Sequence, residues 1–443
     1  MSRSLTVCFV TVNTFEYDSR TLRAARALAA DGHRVAVVAQ QGPALPAEEA
    51  LDGGIRVLRP DIDRRISGAF SWRHGRYRVR LSRAIGLDPD ATVLPPRGPG
   101  VLERVRAPLR RAAEILAYRQ RVRPWAAAVV AAVPADIYSA KALVALPVVR
   151  EAAHRAGGRF VYDIADLHVE SGRLAHMPGL FKSYLSRRER RWMADAAALI
   201  AVTDPLADEV VRRFGVPRPT VVMNCRPRWR PDEPGLRASH RLREAVAATG
   251  GAVPVDAPIL LYQGAFREDQ GIEELLVALR SKAVRDTSLV TVFLGFGRLE
   301  SRLREAAASD PGRIVVLPAV PSAELLEWTA GATFAFVGAP PKTINLRLTI
   351  PNKLFESVMA GVPVVVSGGT AVASLVRSAD VGIVVEPWSA EALAAALSIA
   401  LEEPEAVQIA RRLRARTAAL ERYNAETEQA GVVELYRHLA GAS

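Results

Sequence analysis

Short apolar runs alternate with helically periodic segments along almost the whole chain, an alternation that predicts parallel β-sheets crossed by helices. Leu5 to Val12 is apolar, Ser19 to Asp31 places Leu22, Ala25, Leu28 and Ala29 on one helical face, and Arg34 to Ala39 is apolar again after Gly32. This is a βαβ opening. The rhythm resumes with a strand at 136–138, a helix around 142–156, a strand at 159–164, a long helix through Arg187 to Met193, a strand at 198–203, a helix at 205–214 and a closing strand at 221–223. A second series starts at Pro258 and continues through strands at 290–294, 313–317, 333–337, 363–366 and 381–385, with helices between them. Residues 405–440 are amphipathic and helical, with no strand signal.

These elements predict an α/β chain of two doubly wound, Rossmann-like domains facing a cleft, with ligands outside the carboxyl ends of the strands. The expected division is an N-terminal domain at 1–225, a Pro- and Arg-rich linker at 226–257, a C-terminal domain at 258–404 and a helical segment at 405–443. A length of 443 residues is too much for one ordinary core, which agrees with two domains.

Charge changes the picture in one place. The chain has 59 basic and 47 acidic residues, a net of +12, and residues 64–123 alone hold fifteen arginines, no lysine and four acids, interleaved with Phe70, Trp72, Tyr77 and Tyr118. Arg73, Arg76, Arg80 and Arg83 share a face if this insertion is helical. A solvated basic surface is one reading. An anionic membrane face or a lipid-linked, anionic acceptor is another. No nucleic-acid module accompanies the arginines, so nucleic acid is not an expected partner. No apolar run approaches the ~18 residues of a spanning helix, and the start reaches Glu16 and Asp18 without a small-residue cleavage site. Cys8 and Cys225 form neither a disulfide framework nor a metal-ligand spacing, so a cytoplasmic protein is expected, with peripheral contact at the inner membrane face if the insertion meets lipid.

The chemistry concentrates in Thr349 to Ser367. Pro351 is placed at the first position of a short helix, Gly361 at its left-handed stop, and Pro363 to Val366 in a buried strand. The positive end of such a helix attracts an anion, Lys353 adds a full charge, and Glu356 one turn on has the reach to accept from two ribose hydroxyls. An ordinary αβ unit with Glu356 as a surface residue is the plainer alternative.

Taken in order, the motifs resemble the GT-B fold glycosyltransferases of the family-four class, glycosyl transferases group 1. The resemblance rests on Gly264 to Gly271 with Leu275 and Ala278, on Gly295-Phe296-Gly297, and on Pro351 to Ser367 of the Pro-Asn-Lys-Leu-Phe-Glu subgroup. Tyr17 to Arg20, Ala29 to His33, Val161 to Asp163, Ala201 to Thr203 and Asn224 carry it in the N-terminal half. It implies a hexosyltransferase-type enzyme, retaining and without a metal site or cofactor, that moves a sugar from a nucleotide-diphosphate donor to a hydroxyl acceptor. The donor would be held by Glu356, Asn352, Leu354, Gly264, Gly295, Gly297 and Arg347.

Departures from the family pattern shape the rest. Leu348 stands where a second glutamate is common, and Ala265 and Gln270 replace the usual loop arginine and lysine. Arg267 and Lys353 are the expected substitutes at the leaving group, and Asp166 the orienting residue, completing the catalytic candidates. Ala165 replaces a usual histidine, and Asn13-Thr14-Phe15-Glu16-Tyr17 replaces a Gly-Gly pair. Asn13, Lys141 and His168 are the acceptor-side candidates, with a structural role as the alternative for His168. A nucleotide-sugar 2-epimerase and a non-catalytic nucleotide-sugar-binding partner are the rival readings.

Overall fold

A computed structural model describes residues 3–16, 18–42, 45–60, 122–171, 174–230, 241–249 and 256–441. The arginine-rich segment lies almost wholly outside them, so the readings placed on it, the membrane contact among them, do too. The chain divides into two compact units, residues 1–222 with 429–443 and residues 223–428.

The first unit holds an eight-stranded sheet in the order β3-β4-β2-β1-β5-β6-β7-β8. Its strands are β1 (Thr6–Val10), β2 (Arg34–Val38), β3 (Glu48–Leu51), β4 (Ile55–Leu58), β5 (Ile137–Lys141), β6 (Arg159–Ile164), β7 (Ala198–Ala201) and β8 (Thr220–Val221). All pair in parallel except β3 with β4. Val7 sits between Val35 and Ile137 in register, so the apolar runs stack across neighbouring strands. The β3–β4 hairpin is an element the hydrophobic pattern did not announce. Glu48-Glu49-Ala50-Leu51 is an edge strand that buries no residue fully, and an edge with little to bury leaves little hydrophobic signal.

The second unit is a six-stranded, all-parallel sheet in the order β11-β10-β9-β12-β13-β14. Its strands are β9 (Ile259–Phe266), β10 (Val290–Gly297), β11 (Ile314–Leu317), β12 (Phe334–Val337), β13 (Val364–Ser367) and β14 (Gly382–Val385). Both faces are covered. Leu261, Val292 and Val364 pack on one side with Leu354 and Phe355, while Leu260, Tyr262 and Phe293 pack on the other with Leu275 and Leu397. The strand order reverses between β1 and β5 in the first sheet and between β9 and β12 in the second. Such switch points leave crevices at the carboxyl ends of the strands.

Residues 405–440 form two helices, Glu405–Glu421 and Ala425–Gly441. The break is built by Asn424, fully buried, whose Nδ2 donates to the carbonyls of Ala419 and Leu420 while its Oδ1 accepts from Thr427 N. From Gln429 onward the last helix belongs to the first unit, with Val432, Tyr436 and Leu439 in the core beside Leu5, Val7 and Val35. Pro351 is the N-cap and not the first helical residue, because its ψ of 149° is extended; the helix runs Asn352–Met359. Gly361 is left-handed at φ +71°, and the Val362 N–H reaches back to the Ser357 carbonyl to close the helix end.

Candidate functional site

At the second switch point the loop after β9 is pinned by glycine. A Cβ on Gly271, which sits at φ +73°, would lie 2.0 Å from the Gly338 carbonyl just beyond β12, so only glycine admits this approach. Gly295 is equally confined: a Cβ there would lie 2.0 Å from the Gly264 carbonyl. Gly264 itself has open space where its Cβ would be. The ends of β9 and β10 are thereby held at backbone contact, with one open position above β9.

Into this corner points the first turn of helix Asn352–Met359. Lys353 Nζ lies 2.8 Å from Gln270 Oε1 and 4.2 Å from the centre of the Tyr262 ring. Burial lowers its pKa from the usual lysine range to about 7, with the Arg267 charge acting the same way and Glu356 and Asp269 opposing. Glu356 Oε2 accepts from Gln263 Nε2 at 2.9 Å, and Gln263 Oε1 accepts from the buried Thr329 hydroxyl at 2.7 Å. Its other oxygen, Oε1, has no donor among the described residues. The Thr329–Gln263–Glu356 relay fixes the carboxylate without neutralising it. The sequence signal for Gln263 is a lone amide that ends the apolar run Ile259–Tyr262, directly before Gly264.

The other expected donor residues fall in different settings. Asn352 is exposed and accepts from Asn224 Nδ2 at 2.6 Å. Arg347 is exposed and makes no ion pair with a described residue. Arg267 is held by Asp269, its Nε 3.0 Å from Oδ1. Burial alone would raise the Asp269 carboxyl, but Arg267 and Gln270 hold it below the usual range. Arg267 therefore brings its own counter-charge, unlike Lys353. Lys342 likewise pairs with Glu274 at 3.2 Å. Leu354 is a core residue: its side chain is fully buried and its N–H donates to the Pro351 carbonyl.

At the first switch point the charges are paired with one another. Arg20, 5% exposed, makes a two-pronged contact with Asp163 at 2.6 and 2.8 Å and also donates to the Val222 carbonyl. Lys141 Nζ lies 2.6 Å from Asp18 Oδ1, while Asp18 caps helix Ser19–Ala30 at Thr21 N and accepts from Asn13. Burial would raise the Asp18 carboxyl, but Lys141 outweighs it and holds it low. Asp166 and His168 lie just beyond β6. Burial lowers the His168 pKa against the opposing charges of Asp166 and Asp163, and its Nε2 is buried without a partner. Asn13, Lys141, Asp166 and His168 thus gather at one end of the sheet. Asn13 and Lys141 are committed to Asp18.

Residues 257–403 match the model of the family described as glycosyl transferases group 1. No curated protein matches the sequence. Among solved structures, the sucrose-phosphate synthase of Thermosynechococcus elongatus superposes at TM-score 0.69 with 17% identity over 100% of both chains. HepE of Anabaena in complex with UDP-glucose superposes at 0.65 with 14% identity, over 98% of this chain and 100% of that one. WaaG, a glycosyltransferase of lipopolysaccharide biosynthesis, superposes at 0.60 with 17% identity over 97% and 99%. The fold is GT-B.

In this GT-B chain the family match falls on the second unit alone. Gly264, Arg267, Gly295, Gly297, Arg347, Asn352, Lys353, Leu354 and Glu356 all lie inside the matched segment, as do Gln263 and Thr329. The solved structures match the first unit by fold alone.

Proposed function

We propose that the chain is a glycosyltransferase that moves a sugar from a nucleoside diphosphate to a hydroxyl acceptor, with retention of configuration and with positive charge supplied by its own residues. One observation carries this reading: Glu356 is aimed by Gln263 and stands one turn from Lys353, at the β9/β12 switch point and inside the family match. A fixed carboxylate with an oxygen to spare suits the two neighbouring hydroxyls of a ribose. Lys353 and the first N–H groups of helix Asn352–Met359 suit a diphosphate.

The reaction breaks the anomeric C–O bond and forms a new one to the acceptor oxygen, while the departing diphosphate gains one negative charge. Groups already placed to meet that charge lower the barrier. Lys353 Nζ is held at the glycine loop by the neutral Gln270 amide, so its charge is available to the leaving group. The acceptor proton passes to the diphosphate oxygen on the same sugar face, which removes the need for a protein base. Asp166 is the orienting group in this reading, and the strand ends of the first unit receive the acceptor.

A second reading has its own support. The ion pairs Arg20–Asp163 and Lys141–Asp18 commit most charge at the first unit's strand ends to the fold, as suits a protein that binds a nucleotide sugar without turning it over. A thermal-shift screen over uridine, guanosine, cytidine, adenosine and thymidine diphosphates tests donor binding, since a ligand of the folded state raises the midpoint. No shift with any of them overturns both readings. Transfer to a hydroxyl acceptor, with the product anomer read by NMR, then separates them, and an inverted product removes the retaining assignment.

A further inference from the structure

Helix Gly179–Ala194, sequence GLFKSYLSRRERRWMA, crosses from the end of β6 towards the start of β7. Its inward side is ordinary: Met193 is buried, and Glu189, 2% exposed, accepts from the Tyr162 hydroxyl at 2.9 Å. Its outward side is unusual. Leu180, Tyr184, Arg187 and Arg191 fall at i, i+4, i+7 and i+11, one stripe of the helix, and all four are exposed. Leu180 is 89% exposed and follows Pro178 and Gly179, which are also exposed.

Arg190 is exposed on one flank of the stripe. On the other, the Arg188 guanidinium stacks 5.7 Å from the Tyr184 ring and 5.3 Å from the Trp192 ring, and donates to the Tyr184 hydroxyl. Arg187, Arg190 and Arg191 make no ion pair with a described residue, and the helix's one acid, Glu189, faces inward. A solvated face would not need its most exposed residue to be leucine. A leucine tip, an amphipathic tyrosine and tryptophan, and uncompensated arginines are the composition of a helix that lies at a charged lipid interface.

We propose that the exposed face of this helix docks on an anionic phospholipid surface, with Leu180 and Tyr184 entering the headgroup layer and Arg187, Arg190 and Arg191 meeting the phosphates. The placement gives the contact a use. The helix follows the carboxyl end of β6 in the chain, where Asp163 and Asp166 stand, and Lys182 in its first turn is tied to Glu170 of the turn His168–Glu170 at 2.5 Å. An acceptor drawn from a membrane would thus arrive on the side of this unit that carries its candidate acceptor residues. The inference does not depend on the transfer reaction.

The test is vesicle co-sedimentation of the full chain on phosphatidylcholine alone and on phosphatidylcholine with phosphatidylglycerol, at low and high salt. Four proteins are compared: the wild type, Arg187→Glu/Arg191→Glu, Leu180→Ser/Tyr184→Ser, and the control Arg302→Glu/Arg304→Glu on the exposed helix Glu300–Ser309 of the second unit. The proposal expects salt-sensitive binding to the anionic vesicles only, at least a tenfold loss for the Arg187/Arg191 protein, a several-fold loss for the Leu180/Tyr184 protein and wild-type binding for the control. Equal binding by all four proteins overturns it, because another basic surface then holds the lipid. A wild type that ignores vesicles, or that binds an oligonucleotide in their place through the same arginines, also overturns it.

Discussion

The two sheets end in different kinds of charge. At the ends of β1, β5 and β6 each buried charge has an opposite charge for a partner, Arg20 with Asp163 and Lys141 with Asp18. At the ends of β9 and β12 the charges lean on neutral groups: Lys353 on the Gln270 amide and the Tyr262 ring, Glu356 on the Gln263 amide. A charge paired with its opposite holds a fold together, and breaking the pair leaves the survivor buried and uncompensated. A charge oriented by an amide keeps its field for a ligand. On the proposed function, the difference separates structural electrostatics from prepared binding within one chain, although both sites lie at the switch points of similar sheets.

The comparison is most exposed to Arg20→Ala. Removing one partner of a buried ion pair costs about 3–5 kcal/mol, so urea unfolding is expected to show a large loss of stability, with nucleotide affinity unchanged in the protein that remains folded. An Arg20→Ala protein of normal stability that loses only transfer would make this pair a binding device and erase the contrast. Glu356→Ala is the mirror experiment. Hydrogen bonds to a charged group are worth about 1.5–3 kcal/mol each, so titration calorimetry is expected to show nucleoside diphosphate binding weakened ~30-fold or more, with little change in unfolding. Loss of stability without loss of affinity would place Glu356 with Arg20.

Lys353 sharpens the comparison through pH. Its pKa is lowered to about 7 in the unliganded protein, and on the proposed function a bound diphosphate would raise it again, so binding would take up a proton above that pH. Affinity is expected to fall by up to about tenfold per pH unit as pH rises above 7, and to be flatter below it. Lys353→Met is expected to bind weakly with no such slope, and a wild type with equal affinity at pH 6.5 and 8.5 contradicts the assignment. Asp269→Asn carries the smallest effect. It releases Arg267 from its local partner, and a few-fold gain in diphosphate affinity is expected, since exposed pairs are worth about 0–1 kcal/mol. Unchanged affinity would mean that Arg267 does not face the ligand.

The parallel-sheet rhythm was legible because strands buried on both faces must be apolar along their length, as Val364-Val365-Val366 and Ile259-Leu260-Leu261 are. The glycine loops and the Pro351 to Ser367 segment were legible because close backbone approach and a helix end restrict residue type. Elements with weaker demands escaped. The β3–β4 edge hairpin has little to bury, and Asn424 breaks the terminal helices through hydrogen bonds that no periodicity records.

By itself the sequence determined two α/β units, the positions of their tight turns, and a lysine and glutamate one turn apart at the start of a short helix. All of these are local or periodic constraints that a single stretch of chain can state. Tertiary structure alone decided which charges are spent and which remain. In sequence Arg267 stands as the replacement for a missing loop cation, and only the fold sets Asp269 against it; Gln263 gains its place only where Thr329 and Glu356 meet on either side of its amide. The reason is physical: a side chain's charge is a property of its residue, but the compensation of that charge belongs to neighbours that only the folded chain brings within hydrogen-bond reach.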